Sequence, residues 1–406
     1  MNVLFLSMAY LNSLADYGMY QDILRVFAEK GDYIKAVCPL QPSVNEKTQV
    51  TTSAYGDVLK VNILYAPKQN IINKGRYILR VEKQFISAIK SHYSDIKFDL
   101  VLYPTPPVTL AGVVDYIKKR DGARSYLLLK DIFPQNAVDM GLMKKTGFKG
   151  LLYRFFRNKE KQLYAVSDRI GCMSPANVDY VLKHNPEISS DRVEVCPNCI
   201  EPRNFSLLPK EREAIRTKYG IPLDKKVFVY GGNLGIPQGI PFLIECLRTQ
   251  KDNSESFFLI VGDGTEFSKL KAFVQREGQG NVMLLKRLPK EDYDRMIAAC
   301  DVGLIFLDHR FTIPNFPSRL LSYMQAGLPV LACTDPNTDI GKVIMEGGFG
   351  WWCESNNPMN FYHTISQILT RNDVSQMGSR SIEYLNKFYT ATRSYEIINA
   401  HKNNKK

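Results

Sequence analysis

Arg319 stands where an anion-binding arginine is expected. It opens an apolar helix after the apolar run Asp301–Leu307 and a loop ending Asn315-Phe316-Pro317-Ser318. Free N–H groups and the dipole at a helix start favour phosphate, and a guanidinium adds paired donors. An ordinary βαβ unit with a solvated arginine has the same spacing. A second candidate is Tyr230-Gly231-Gly232-Asn233-Leu234-Gly235-Ile236-Pro237-Gln238-Gly239, between an apolar strand and a helix. Glycines there let backbone N–H groups approach a diphosphate, although many such turns merely bend. Lys286 and Arg287 follow another strand and are either additional anion ligands or solvated loop residues. A third candidate is Lys130-Asp131, a charged pair ending the apolar strand Tyr126–Leu129. Asp131 is placed to orient a hydroxyl or accept its proton, with Lys130 as a neighbouring cation or its ion-pair partner.

These residues need a scaffold of strands whose carboxyl ends converge. Val3–Ser7, Tyr33–Cys38, Val58–Leu64, Leu100–Tyr103, Tyr126–Leu129, Arg169–Cys172 and Arg192–Val195 read as strands. Helical patterns at Tyr17–Lys30, Tyr77–Tyr93, Val108–Arg120, Gly150–Ala165 and Ala176–Lys183 alternate with them. A second series runs through Val227–Tyr230, Phe257–Val261, Val282–Leu284, Val302–Phe306 and Val330–Ala332. Alternation of this kind predicts α/β architecture with doubly wound parallel sheets. A proline-rich stretch, Pro197–Lys210, marks the boundary between residues 1–203 and 204–387. The helix from Pro317 should end at Gly327, with Pro329 beyond it.

The 406-residue chain is long enough for two domains. No apolar run approaches the ~20 residues of a membrane span, and the opening MNVLFLSMAYL lacks a basic start, which predicts a cytoplasmic protein. Eight scattered cysteines fit buried free thiols, including Cys196 and Cys199, whose C-x-x-C spacing sits at a strand end. The net charge of +12 comes without a basic, aromatic-interleaved tract, so nucleic acid is not expected as a partner, and Lys402–Lys406 reads as a frayed tail. No acidic or His/Cys cluster calls for a metal. Two basic amphipathic segments stand out: Arg76, Arg80, Lys83 and Lys90 with Ile78, Phe85 and Ile89, and Arg154, Arg157 and Lys161 with Leu152, Phe155 and Phe156. They are either packed surface helices or faces for anionic lipid.

The run Pro317-Ser318-Arg319-Leu320-Leu321-Ser322-Tyr323-Met324-Gln325-Ala326-Gly327-Leu328-Pro329-Val330 resembles the nucleotide-sugar signature of family 4 retaining glycosyltransferases. That family places a glutamate, in an E-Y/A-M-A-x-G-x-P-V context, against the ribose hydroxyls; Ser322 holds its position here, and Pro314 that of a partner glutamate. The resemblance implies a GT-B fold, with two Rossmann-like domains facing across a cleft and a last helix, about 388–402, returning to the first. It implies donor contacts at Gly232, Asn233, Gly235, Gln238, Gly262, Asp263, Arg287, Asn315, Phe316, Ser318 and Ser322. Asp263, in the Gly262–Gly264 strand end, lies near the base or only caps the next helix. Family members carry an arginine and a lysine at Asn233 and Gln238. Lys130-Asp131-Ile132-Phe133-Pro134 is similar to the D-x-W-P segment of the bacterial surface-polysaccharide branch, and Tyr17-Gly18 to its first glycine loop, on the acceptor side. The activity that the resemblance implies is that of a hexosyltransferase-type enzyme, moving sugar from a UDP-sugar to a lipid-linked saccharide in capsule or O-antigen synthesis, with no cofactor. Peripheral contact with an anionic membrane fits such an acceptor. The alternatives are a sugar-nucleotide epimerase of the same fold and a non-catalytic scaffold.

Overall fold

The computed structural model describes residues 1–41, 47–63, 71–147, 150–277 and 280–401, the side chains of 71–79 excepted. The chain divides into two units, Met1–Glu201 with Ala391–Lys406, and Pro202–Thr390.

Unit 1 contains an eight-stranded sheet. Its strands are β1 (Asn2–Leu6), β2 (Tyr33–Pro39), β3 (Gln49–Ser53), β4 (Gly56–Val61), β5 (Leu100–Pro104), β6 (Arg124–Leu129), β7 (Arg169–Cys172) and β8 (Val193–Val195). They lie in the order β3-β4-β2-β1-β5-β6-β7-β8. Only β3 is antiparallel, and its polar sequence, QVTTS, hides it from a reading based on apolar runs. Val3, Leu4, Phe5 and Leu6 are all fully buried, as a parallel sheet covered on both faces requires. The covering helices are α1 (Met19–Glu29), α2 (Ile71–His92), α3 (Ala111–Asp121), α4 (Gln135–Asp139), α5 (Gly150–Val166) and α6 (Pro175–His184).

Unit 2 continues with helices α7 (Pro209–Tyr219), α8 (Ile240–Thr249), α9 (Phe267–Glu277), α10 (Lys290–Ala298), α11 (Arg319–Gln325), α12 (Ile340–Glu346), α13 (Pro358–Leu369) and α14 (Val374–Phe388). Its strands are β9 (Lys226–Asn233), β10 (Ser256–Asp263), β11 (Val282–Leu285), β12 (Val302–Phe306), β13 (Val330–Thr334) and β14 (Gly350–Glu354). All six are parallel, in the order β11-β10-β9-β12-β13-β14. The order reverses between β9 and β12, and a ligand crevice forms where that happens in such sheets. Last in the chain is α15 (Ala391–Asn399), which belongs to unit 1. Its Tyr395 ring packs edge-on to Phe27 of α1 at 4.7 Å, and the Ala391 N–H donates to the Ile200 carbonyl.

Several expected boundaries move. The helix expected from Pro317 opens at Arg319, with Ser318 as its cap, and ends before Gly327, whose φ of +66° reverses the chain. The segment expected to return from residue 388 does so from Ala391, because α14 runs to Phe388. Strand β4 ends at Val61; Leu64 and Lys402–Lys406 lie outside the described residues. In α2, Phe85 and Ile89 are buried, so the described part of that segment turns its apolar side inward and presents no lipid-facing surface; Arg76 and Ile78 are not described. Helix α5 differs: Leu151, Leu152 and Phe155 are exposed beside Arg154. Among the described residues no helix is long and apolar enough to cross a membrane.

Candidate active site

Unit 2 assembles its candidate site where β9 and β12 part. The two strands pair only at Val302–Phe228 and Gly303–Val229, and beyond that the Tyr323 hydroxyl fills the opening gap. It accepts the Gly231 N–H and donates to the Leu304 carbonyl, both at 3.0 Å. The ring needs the space that Gly303 leaves, since a Cβ there would lie 2.4 Å from it. Gly231 is equally constrained, because a Cβ on it would meet the Tyr293 hydroxyl.

Arg319, the first residue of α11, is half-buried among these rings. Its guanidinium carbon stands 4.5 Å from the Tyr230 ring centroid and close to Gly232, whose φ is +121°. Among the described residues it makes no ion pair, and its buried Nη1 has no hydrogen-bond partner. A buried N–H left unpaired costs about 1–3 kcal/mol, so this arrangement favours an incoming acceptor. Asn315 presents a second unpartnered donor, Nδ2, while its carbonyl is held by Thr338 Oγ1. The turn supplying Thr338 is organised by Asp335, whose Oδ1 accepts the Asn337 and Thr338 N–H groups. Burial pushes Asp335 up to about 6.

The glycine loop is close-packed rather than open. Gln238 Oε1 accepts from Asn233 Nδ2 at 3.0 Å and from the Gly235 N–H at 3.2 Å. The Gly235 amide, expected to face a diphosphate, is therefore committed to Gln238, and Asn233 and Gln238 are paired with each other. Gly262 lies opposite Gly232 in the β9–β10 register, and a Cβ on it would come within 1.9 Å of the Gly232 carbonyl. Asp263 is exposed and accepts the Gly264 N–H, so it does not cap α9. Phe316 is buried with its ring 6.1 Å from Tyr389, so it serves the core and is closed to a base. Ser318 is exposed, Ser322 is half-buried one turn after Arg319, and Lys286 and Arg287 are exposed beyond β11.

In unit 1, Thr105 fixes the end of β6. Its Oγ1 accepts the Lys130 and Asp131 N–H groups and donates to the Asp131 carbonyl. The two side chains then diverge. Lys130 Nζ donates to the Cys196 and Pro197 carbonyls at 3.2 and 3.1 Å and makes no ion pair with Asp131. Burial lowers its pKa. Asp131 instead accepts from Asn136 Nδ2 at 2.7 Å, and burial pushes it up to about 6. An acid held there is half-ionised at about pH 6 and mostly ionised at neutrality, with a pKa closer to working pH than an ordinary carboxyl, a useful state for proton or hydroxyl chemistry. Tyr17 is exposed, with Arg25 5.3 Å from its ring, and the Gly18 N–H is taken by Asp22 Oδ1. That pairing removes Gly18 as a free backbone donor. Cys196 and Cys199 are buried free thiols. Among the described residues no group of three His, Cys, Asp or Glu could hold a metal.

Sequence reasoning missed Thr105, Asn136, Tyr293 and Asp335. Tyr323 and Tyr230 lie inside the two motifs without an expected role; the glycines beside them were the available signal, because Gly231 and Gly303 leave room for large rings.

Residues 211–387 match the family model described as glycosyl transferases group 1. The chain is 26% identical over 331 residues to a probable glycosyltransferase of Pseudomonas aeruginosa, WbjE, covering 81% of this chain and 80% of that protein. It is 24% identical over 257 residues to the putative colanic acid biosynthesis glycosyl transferase WcaI of Escherichia coli K12, covering 61% and 60% respectively. Its fold matches the crystal structure of HepE from Anabaena with a TM-score of 0.71 at 14% identity, over 99% of both chains. Residues 211–387 thus resemble the group 1 glycosyl transferases, most of the chain is similar to proteins named as glycosyltransferases, and the fold is of the GT-B type.

Proposed function

We propose that this enzyme moves a sugar from a nucleoside diphosphate sugar, UDP-linked, to a lipid-linked saccharide during assembly of a bacterial surface polysaccharide. The observation that carries the donor half is the unpartnered Nη1 of Arg319 at the point where the strand order of unit 2 reverses. UDP is favoured by the Anabaena HepE structure, which holds UDP and glucose. A surface polysaccharide is favoured by the colanic acid named for WcaI.

In this reading Arg319 and Asn315 Nδ2 take the diphosphate, with Lys286 and Arg287 adding positive charge. Ser322 donates to or accepts from a ribose hydroxyl where family 4 has an acid, and Asp263 lies toward the base. Asp131 orients the acceptor hydroxyl, and Tyr17 and Gly18 flank the acceptor path. Among the described residues Arg319 makes no ion pair with a carboxylate that could serve as a nucleophile, so a same-face displacement through an oxocarbenium-like state, with the leaving phosphate taking the acceptor proton, gives retention. The exposed Leu151, Leu152 and Phe155 of α5 rest on an anionic membrane surface, where the acceptor lipid resides.

Calorimetric titration with UDP, GDP and ADP tests the donor site. Micromolar binding of UDP in preference to the other two supports it; no binding of any of them by folded protein refutes it. Sedimentation with vesicles of phosphatidylglycerol and phosphatidylcholine tests the membrane contact. Binding should weaken when Leu151→Ser and Phe155→Ser are combined, and unchanged binding would exclude α5.

A further inference from the structure

Unit 1 contains a partly open cavity of about 150 Å³ between α5 and α6, apart from the donor and acceptor residues already placed. Ile132 and Pro134, just after Asp131, line one end, and the rings of Tyr153, Tyr164 and Tyr180 line its sides. His184 stacks on Tyr180 with ring centroids 3.9 Å apart.

The polar equipment of the wall is unusual for a structural void. Glu160, only 4% exposed, accepts from Tyr164 Oη at 2.8 Å and from Arg157 Nη1 at 2.5 Å. Arg157 Nη2 continues to the His184 carbonyl at 2.9 Å and Asn185 Oδ1 at 2.6 Å. An apolar pair of similar volume would avoid the desolvation cost of this buried ion pair. The Tyr153 and Tyr180 hydroxyls, in contrast, have no hydrogen-bond partner among the described residues.

These features narrow the ligand. At ~30 Å³ per water the cavity holds about five waters, the room of one sugar ring and too little for a nucleotide. Arg157 is satisfied by Glu160, Asn185 and a carbonyl, and the other cation of the lining, Lys145, is exposed at the rim with its Nζ 5.7 Å from the Tyr153 ring centroid, so the buried part of the wall offers no free cation to a phosphate or carboxylate. The wall is too polar for an acyl chain. Aromatic faces beside unused hydroxyls suit the C–H face and hydroxyl edge of a pyranose.

We propose that this cavity is a subsite for one neutral pyranose unit of the acceptor saccharide. The assignment rests on unit 1 being the acceptor side, and it places the sugar beside the segment that carries Asp131.

Saturation-transfer difference NMR on the full chain tests it, with the methyl pyranosides of glucose, galactose, mannose and N-acetylglucosamine as probes. At least one should give a signal that falls by fivefold or more in the Tyr153→Phe/Tyr180→Phe double variant, which keeps both rings. The single variant Tyr180→Leu, which removes the aromatic face, should lower it further. UDP binding, measured by calorimetry on the same samples, reports folding and the donor site separately and should not change. No pyranoside signal from protein that binds UDP would overturn the proposal, as would a signal insensitive to both variants. Loss of UDP binding with sugar binding intact would instead count against the donor site.

Discussion

Replacing Arg319 by methionine separates a ligand-binding arginine from a structural one. In the free protein the guanidinium lies 4.5 Å from Tyr230 and gains about 1–2 kcal/mol from that ring. Against this stands its buried Nη1 without a partner, which costs about 1–3 kcal/mol. Methionine occupies a similar volume on the tyrosine rings and removes both terms, so they nearly cancel. Thermal stability of Arg319→Met should stay within a few degrees of wild type, since 1 kcal/mol corresponds to about 2–4 °C in a protein of this kind. The loss should appear on binding UDP. A charge-assisted contact to phosphate contributes about 1.5–3 kcal/mol, or roughly a 10- to 150-fold change in Kd. Calorimetric titrations at about 0.05 and 0.5 M salt should show that wild-type affinity falls with salt and that the variant's falls less. A Kd within threefold of wild type, in protein that melts normally, would rule out Arg319 as a phosphate ligand. Collapse of the fold would assign it to the core.

Three further outcomes follow from the geometry. Burial holds Asp131 at about 6, so, if its carboxylate orients the acceptor, transfer rates should rise with pH up to that value and level above it. Initial rates of Asp131→Asn should lack that limb, and a variant that keeps it would acquit Asp131. Asp335 is raised from 3.8 to about 6 in the folded protein, so its neutral form is the favoured one. Its stabilising contribution is complete below pH ~4 and is lost as pH rises through about 6, a span of about 3 kcal/mol at most. Asp335→Asn keeps an acceptor for the Asn337 and Thr338 N–H groups; it should be more stable than wild type at pH 8 and equal to it at pH 4, by denaturant melts. Equal gains at both pH values would contradict this. Finally, Gly303→Ala places a Cβ 2.4 Å from the Tyr323 ring. Overpacking should cost about 1–3 kcal/mol in unfolding experiments and weaken UDP binding by shifting the hydroxyl that holds the Gly231 N–H. Unchanged UDP affinity in a destabilised protein would show that Tyr323 is not coupled to the donor site.

The α/β architecture is dictated by residue pattern. Runs such as Val302–Phe306 and Phe257–Val261 can be buried only in a sheet covered on both faces, and glycine and proline mark the turns between them. Pattern also dictates where the chemistry lies along the chain, because a charge placed directly after so apolar a strand must sit at its carboxyl end; Lys130 and Asp131 do so. Strand β3 escaped because its pairing is a backbone matter that polar residues satisfy equally well. What each side chain does once in place is a matter of long-range packing. Lys130 and Asp131 are neighbours in sequence, yet one turns to the Cys196 carbonyl and the other to Asn136. The Gly235 amide is taken up by Gln238, five residues after Asn233, through a loop conformation that residue types do not dictate. Tyr293 reaches Gly231 from α10, more than sixty residues away in sequence, and Arg157 links Glu160 of its own helix to Asn185 at the end of α6. Contacts like these depend on the order of strands and the packing of helices over them. Local pattern specifies which face of an element is buried; which partner waits on that face is set by the long-range fold.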